Sequence, residues 1–254
     1  MPLKGVILAA GKGTRMKELT REVPKPLLEV AGRPVLEHIL TGLRDARVTE
    51  VCIIVGYRGE AIRDHFGDGS RLGMRLCYVE QLVQDGTGKA PEVAKAFVGG
   101  DSFLLSYGDI LVTPGDYQHM VKLFDLEKPD ALQTVKHGED VTKGAVVCFD
   151  GNFYMTDLIE KPTPAQLETL VRAGKLQPGA PAWYNAGIYI FTPRVFEFTA
   201  RLQKSVRGEY ELTDALIAMC RAGLRIRGCE LMGRWADVRD PEVLAELRQT
   251  LSPS

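Results

Sequence analysis

The chain has 254 residues, with 32 Lys+Arg against 33 Asp+Glu and a formal net charge of −1. Hydrophobic residues at 45% and charged residues at 26% exclude a disordered chain, and the lack of a basic excess excludes nucleic-acid binding by bulk charge. The longest apolar runs, 6–10 and 51–55, fall far short of the roughly 20 residues that span a bilayer, and residues 1–5 lead into a strand rather than a signal segment.

In chain order, short β-branched runs alternate with helix-period segments. Strands are predicted over 4–10, 51–55, 74–80 and 102–106, and helices over 34–46, 58–66, 88–97 and 117–125. That alternation means parallel crossovers and a sheet covered on both faces. The second half changes character. Residues 131–137, 144–149 and 153–160 read as consecutive strands, the last two split by the hairpin signal Asp150-Gly151-Asn152. The stretch 162–181, with four prolines and a polar helix over 165–173, is expected to protrude from the sheet. A strand over 188–191, a helix over 212–222, a strand over 224–231 and an amphipathic helix over 241–251 close the chain. With no linker or repeat, one domain is expected over 1–254. Residues 1–110 would form mainly a nucleotide half and 111–254 mainly a sugar-phosphate half.

The five cysteines (Cys52, Cys77, Cys148, Cys220 and Cys229) include no C-x-x-C pair and sit mostly in apolar runs, as buried free thiols of a cytoplasmic protein do. The four histidines (His38, His65, His119 and His137) show no zinc-ligand spacing.

The most informative stretch is Gly11-Lys12-Gly13-Thr14-Arg15, directly after the first strand, followed by Pro24-Lys25-Pro26-Leu27. Glycines at this place let the backbone turn tightly and offer N–H groups to an anion. A dinucleotide-binding loop would need a third glycine where Met16 stands, and neither Gly11-Lys12 nor Gly88-Lys89-Ala90 has P-loop spacing. Lys12, Arg15 and Lys25 remain as cations that a loop could fold around a triphosphate.

This opening resembles that of the sugar-1-phosphate nucleotidyltransferases, which join a nucleoside triphosphate to a sugar 1-phosphate and release pyrophosphate. The resemblance continues through Gly32-Arg33-Pro34-Val35-Leu36, Gln81 with Asp85-Gly86-Thr87-Gly88, and Tyr107-Gly108-Asp109. It then takes in Glu160-Lys161-Pro162, Tyr184-Asn185-Ala186-Gly187-Ile188-Tyr189 and Trp235-Ala236-Asp237-Val238, seven blocks in all. It implies a Rossmann-like nucleotide-diphospho-sugar transferase fold of class α/β, with a mixed, mostly parallel sheet and helices on both faces. The implied members are of the glucose-1-phosphate thymidylyltransferase and acetylglucosamine-1-phosphate uridylyltransferase kind. Only a terminal helix follows Asp237, so a short form without an attached acyltransferase is expected.

Chemistry and resemblance together imply the roles. An anionic phosphate oxygen is already a nucleophile, so the site needs amides, cations and a metal rather than a general base. Gly11, Gly13 and Thr14 would wrap the triphosphate, Arg15 would grip the departing pyrophosphate, and Lys25 would face the α-phosphate. Leu8, Ala9 and Ala10 would floor the base, with Gln81, Gly86 and Thr87 at its edge. Gln81 with Gly86 resembles the thymidylyltransferases, and Gly86-Thr87-Gly88 the uridylyltransferases, so UTP and dTTP both stay open. Asp109 and Asp237 would hold Mg²⁺. Gly144, Glu160, Lys161 and Asn185 would bind the sugar phosphate. Where the family usually reads Asp-x-Gly-Thr, this chain has Asp237-Val238-Arg239-Asp240, and Arg239 either adds a cation near the phosphates or faces solvent. Two other readings share the opening loop: a cytidylyltransferase for phosphocholine or an alditol phosphate, and a non-catalytic nucleotide-sugar sensor. The sugar is not legible, and neither is self-association into a homo-oligomer.

Overall fold

The computed structural model of the chain describes residues 3–13, 16, 19–177 and 179–250. The first apolar run forms β1 (Lys4–Ala9). A short helix α1 (Leu19–Glu22) and a 3-10 turn over Lys25–Leu27 lead to a small hairpin, β2 (Glu29–Val30) and β3 (Arg33–Pro34). Helix α2 (Val35–Asp45) follows, with Val35, Leu36, Ile39, Leu40 and Leu43 each at most 1% exposed, the single buried stripe that helical spacing dictates. Each such side chain contributes about 1.5–3 kcal/mol through burial.

Next come β4 (Glu50–Val55), α3 (Gly59–Phe66) and β5 (Arg75–Glu80). The helix predicted over 88–97 is divided into a 3-10 turn, Ala90–Ala94, and α4 (Lys95–Val98). Pro91 stands in the first turn of the 3-10 segment, where its missing N–H costs nothing. After β6 (Phe103–Tyr107) and β7 (Ile110–Val112), α5 (Pro114–Glu127) runs longer than predicted at both ends, starting on a proline whose missing N–H costs nothing in a first turn.

The remaining elements are β8 (Ala131–Lys136), β9 (Ala145–Phe149), β10 (Met155–Glu160), α6 (Pro164–Arg172), β11 (Trp183–Phe191) and α7 (Val195–Thr199). They end with α8 (Leu212–Arg221), β12 (Ile226–Glu230), β13 (Trp235–Asp237) and α9 (Pro241–Thr250). Helix α6 does not merely protrude. A capping box between Thr163 and Gln166 starts it, and Leu170, 4% exposed, packs with Val146, Cys148 and Tyr184 in a small third core.

Strand β11 is nine residues long, where the sequence predicts only its last four. Gly187 (φ +80°) breaks the pairing register with β8 between Asn185 and Tyr189, which hides the continuity of the strand. Beyond that break Trp183 and Tyr184 pair with Val147 and Val146 of β9. Asn185 therefore lies inside a strand and does not precede one.

The main sheet has the order β10-β9-β11-β6-β1-β4-β5, with β8 pairing both β11 and β12. β5, β4, β1 and β6 are parallel, whereas β11 runs antiparallel to β6 and β9 antiparallel to both β10 and β11. One face buries residues of α2, α3, α5 and α9, and the other those of α4, α7 and α8. All five cysteines are free. Among the described residues no helix is long and apolar enough to cross a membrane.

Candidate active site

A cleft of about 980 Å³ opens where the parallel strands end, lined by Leu8 and Ala9 of β1 with Ala10 just after it, and by Tyr107 of β6 with Gly108 just after it. Open α/β sheets offer their ligand crevice at this edge, and the volume lies at the upper end of the range for ligand sites. Two glycines permit the tight packing here. A Cβ on Gly108 would sit 3.2 Å from both Ala9 Cβ and Leu8 O, and one on Gly56 would sit 2.8 Å from Ala10 O.

Gly11 and Gly13 line the cleft, while Lys12 is exposed and lies away from its lining. Gly13 (φ +62°) turns the loop back so that its own Cα side faces Lys25, whose Cβ would be 3.3 Å from an added methyl. Thr14 and Arg15 fall outside the described residues. Pro24 and Pro26 hold Lys25 in its 3-10 turn, and its Nζ donates to Asp109 Oδ2. Lys25 is 12% exposed at its side chain and Asp109 28%, so this contact is partly shielded from water.

β13 brings the second carboxylate. It pairs antiparallel with β7, Asp237 opposite Ile110, and the Val238 N–H donates to Asp109 O at 2.9 Å. Asp109 and Asp237 thus meet at adjoining strand ends, both on the cleft wall. The turn that departs from the family pattern has a clear role, since Asp240 Oδ1 accepts from the Val243 N–H at 3.0 Å and caps the first turn of α9. Arg239 lines the cleft, 3.7 Å from the Asp240 carboxylate. Among the described residues no group of three or more His, Cys, Asp or Glu is placed to hold a metal. The Asp109 and Asp237 carboxylates are hard oxygen donors of the kind that fit Mg²⁺, which takes the rest of its ligands from phosphates and water.

Gln81, expected at the base, lines the cleft with Gln84; it is 8% exposed, its backbone N–H donating to Val55 O at 2.8 Å. Gly86 has a structural duty that its motif does not reveal. It forms a parallel bridge with Tyr210, and an added Cβ would fall 2.3 Å from Tyr210 O, at φ +122°. The Tyr210 N–H donates to Asp85 O, and the Gly88 N–H to Tyr210 O, both at 2.8 Å. Thr87 Oγ1 accepts from the Leu212 N–H at 3.3 Å. Gly86→Ala is expected to lower stability by more than about 1 kcal/mol and to open this seam, a change that thermal melting of the variant will register.

Gly144, Glu160, Lys161 and Asn185, expected to bind the sugar phosphate, line the same cleft. Ala145 and Glu160 are register partners, and the Lys161 N–H donates to Gly144 O at 2.5 Å. A Cβ on Gly144 would strike the Tyr184 hydroxyl at 2.4 Å, so the glycine exists to seat that ring. Trp235 stacks edge-on with Tyr184 at 5.5 Å and donates its Nε1–H to Ala186 O. Burial, and after it the Glu211 charge, pushes the Glu160 carboxyl above its ordinary range, against the pull of Arg207 and Lys161.

Sequence reasoning missed Arg207 and Glu211. Arg207 Nη2 lies 2.6 Å from Glu211 Oε1 and 3.9 Å from Glu160 Oε1, and both residues line the cleft. The available signal was the charged string Arg207-Gly208-Glu209-Tyr210-Glu211 immediately before a helix, which reads as a solvated cap until the Gly86–Tyr210 bridge folds it inward.

Comparisons with known proteins bear on this arrangement. The low-salt glycan biosynthesis nucleotidyltransferase Agl11 of Haloferax volcanii is 33% identical over 252 residues, 97% of this chain and 65% of that protein. The glucose-1-phosphate thymidylyltransferase of Streptomyces griseus is 29% identical over 247 residues, again 97% of this chain and 65% of the relative. The chain therefore spans just under two thirds of the length of these curated relatives. A crystal structure of UDP-glucose pyrophosphorylase complexed with UDP-glucose superposes with a TM-score of 0.83 over 98% of each chain, at 23% identity, and shares the fold. The profile of the nucleotidyl transferase family matches residues 4–253, nearly the whole sequence, and the chain belongs to that family.

Proposed function

We propose that the chain joins a nucleoside triphosphate, UTP or dTTP by preference, to a sugar 1-phosphate, giving a nucleoside diphosphate sugar and pyrophosphate. One observation carries this reading: a single cleft is lined by Gly11, Gly13, Lys25 and Asp109 together with Glu160, Lys161 and Asn185. It has amides and cations for phosphates, carboxylate and amide groups for hydroxyls, and none of the chain's four histidines on its wall. The naming of the Streptomyces relative as a glucose-1-phosphate thymidylyltransferase supports a sugar 1-phosphate as the acceptor.

In this reading residues 1–110 mainly bind the nucleotide and 111–254 mainly the sugar phosphate, with Asp237 reaching back across. A phosphate oxygen of the sugar attacks the α-phosphorus in line, a new P–O bond forms, and the bond to the β-phosphate breaks as pyrophosphate leaves. Lys25 holds a compact charge at the transferring phosphoryl group, and its contact with Asp109 fixes where that charge stands. Arg15 grips the pyrophosphate. Ala9 and Ala10 leave room for a flat base, Gln81 and the backbone at Gly86 take its edge, and Thr87 steadies that loop. Asp109 and Asp237 would hold Mg²⁺, which when bound neutralises phosphate charge. The free cysteines support a cytoplasmic setting.

Pyrophosphate release, assayed with five nucleotides against several sugar 1-phosphates, tests the proposal. Turnover is expected with UTP or dTTP and a hexose 1-phosphate, and release only with CTP and phosphocholine or an alditol phosphate would overturn it.

The wall residue Glu160 gives a separable result. Glu160→Ala is expected to raise the KM for the sugar phosphate at least about tenfold, as loss of a charged hydrogen bond implies, with the nucleotide KM nearly unchanged. Because its carboxyl titrates above the ordinary range, Glu160 loses its charge early as pH falls. The sugar-phosphate KM of the wild type is therefore expected to climb before ordinary carboxylates protonate, and Glu160→Ala to flatten that climb.

A further inference from the structure

Tyr189 stands at the bottom of the cleft and is 0% exposed. Its ring belongs to the core, stacked with Phe191 at 5.5 Å between centroids. For packing alone a phenylalanine would serve, and a buried hydroxyl is costly unless it is bonded. The Tyr189 hydroxyl has one partner among the described residues: Asn185. Asn185 Nδ2 lies 2.7 Å from the Tyr189 oxygen, and that oxygen lies 3.1 Å from Asn185 Oδ1.

The break in β11 makes this meeting possible. Gly187 adopts φ +80°, and a Cβ there would come within 2.5 Å of Ile110 Cδ1 and 3.1 Å of the Tyr107 ring. With the strand kinked at that glycine, residues four apart face each other, and the Gly187 N–H also donates to Asn185 Oδ1 at 3.3 Å. A side-chain amide has two faces of opposite character, and one bond to its oxygen leaves it able to swing. Here both ends are tied. The oxygen is occupied by Gly187 and Tyr189, one nitrogen hydrogen is directed to the Tyr189 oxygen, and the second N–H is left for a ligand.

We propose that Tyr189 is a positioning residue that locks the Asn185 amide, so that Asn185 meets the sugar phosphate as a hydrogen-bond donor and not as an acceptor. This rests on the reading of the Glu160–Asn185 wall as the sugar-phosphate side. The Asn185–Tyr189 hydrogen bonds themselves include no residue assigned to the nucleotide, so the effect of losing them is expected on the sugar phosphate.

A double-mutant cycle tests this. Tyr189→Phe keeps the ring in the core, and its melting temperature is expected to stay within a few degrees of the wild type. Its sugar-phosphate KM is expected to rise about five- to tenfold, the size of one lost hydrogen bond, with kcat and the nucleotide KM within about twofold. Asn185→Ala is expected to raise the same KM, and the double variant to match Asn185→Ala, because the hydroxyl acts only through the amide. Effects that multiply in the double variant, an unchanged sugar-phosphate KM, or equal rises in both KM values would each overturn the role of Tyr189. A wild-type protein that releases pyrophosphate with no sugar 1-phosphate overturns the functional reading itself, which separates the two failures.

Discussion

Replacing Lys25 with alanine is expected to lower turnover by about 10²–10³, the scale of removing one charge donor aimed at a transition state. Nucleotide affinity is expected to fall much less, because the backbone amides of Gly11 and Gly13 remain. Lys25 is held in place by three features: prolines on both sides, the close approach of Gly13, and the Asp109 carboxylate that its ammonium meets. A lysine fixed so closely loses little further freedom when substrate arrives. Arg15→Ala should weaken both binding and rate, since the pyrophosphate group is present in the ground state and the transition state alike. Steady-state kinetics under saturating substrates check both, and a Lys25→Ala protein retaining most of its turnover contradicts the assigned role.

Loss of either carboxylate is the second large effect. Asp237→Ala and Asp109→Ala are each expected to remove most activity, and the double variant to be little worse than Asp109→Ala, because in the proposed reading both would serve one ion. Asp109 also anchors Lys25, so its single variant should be the more damaging of the two. EDTA is expected to silence the wild type and Mg²⁺ to restore it. Activity that persists in EDTA assigns Asp109 to Lys25 alone and Asp237 to the β7–β13 pairing.

How far these features were legible from sequence depends on what each residue is buried against. β1, β4 and β6 read clearly because parallel strands covered on both faces are continuous apolar runs, as in Val6–Ala9 and Val51–Val55. β7 and β13 were not legible, since three-residue strands have no period to detect, and Asp237 was reached only through the resemblance of its motif. The far end of β11 was obscured by Gly187, whose positive φ is a tertiary demand from Ile110 and Tyr107.

The cleft residues of the Gly11–Gly13 loop and of Gln81 to Thr87 were legible as a group because they cluster in short motifs. Their chemistry is local. The part of the cleft around Glu160 was only half legible, since Arg207 and Glu211 reach it through pairing with a loop far earlier in the chain. Gly86 and Gly144 illustrate the same limit. Both occupy their motif positions, yet the contacts that demand glycine there are Tyr210 and Tyr184, from distant parts of the sequence.

The central claim is direct transfer of the α-phosphoryl nucleotide from one triphosphate to one sugar phosphate within a single cleft. Following two radiolabels tests it most directly. With α-labelled UTP or dTTP the label is expected to appear in the nucleoside diphosphate sugar, and with γ-labelled nucleotide in pyrophosphate, each only when the sugar 1-phosphate and Mg²⁺ are both present. Label from the α-position appearing as nucleoside monophosphate, or from the γ-position as orthophosphate or on the sugar, would contradict it.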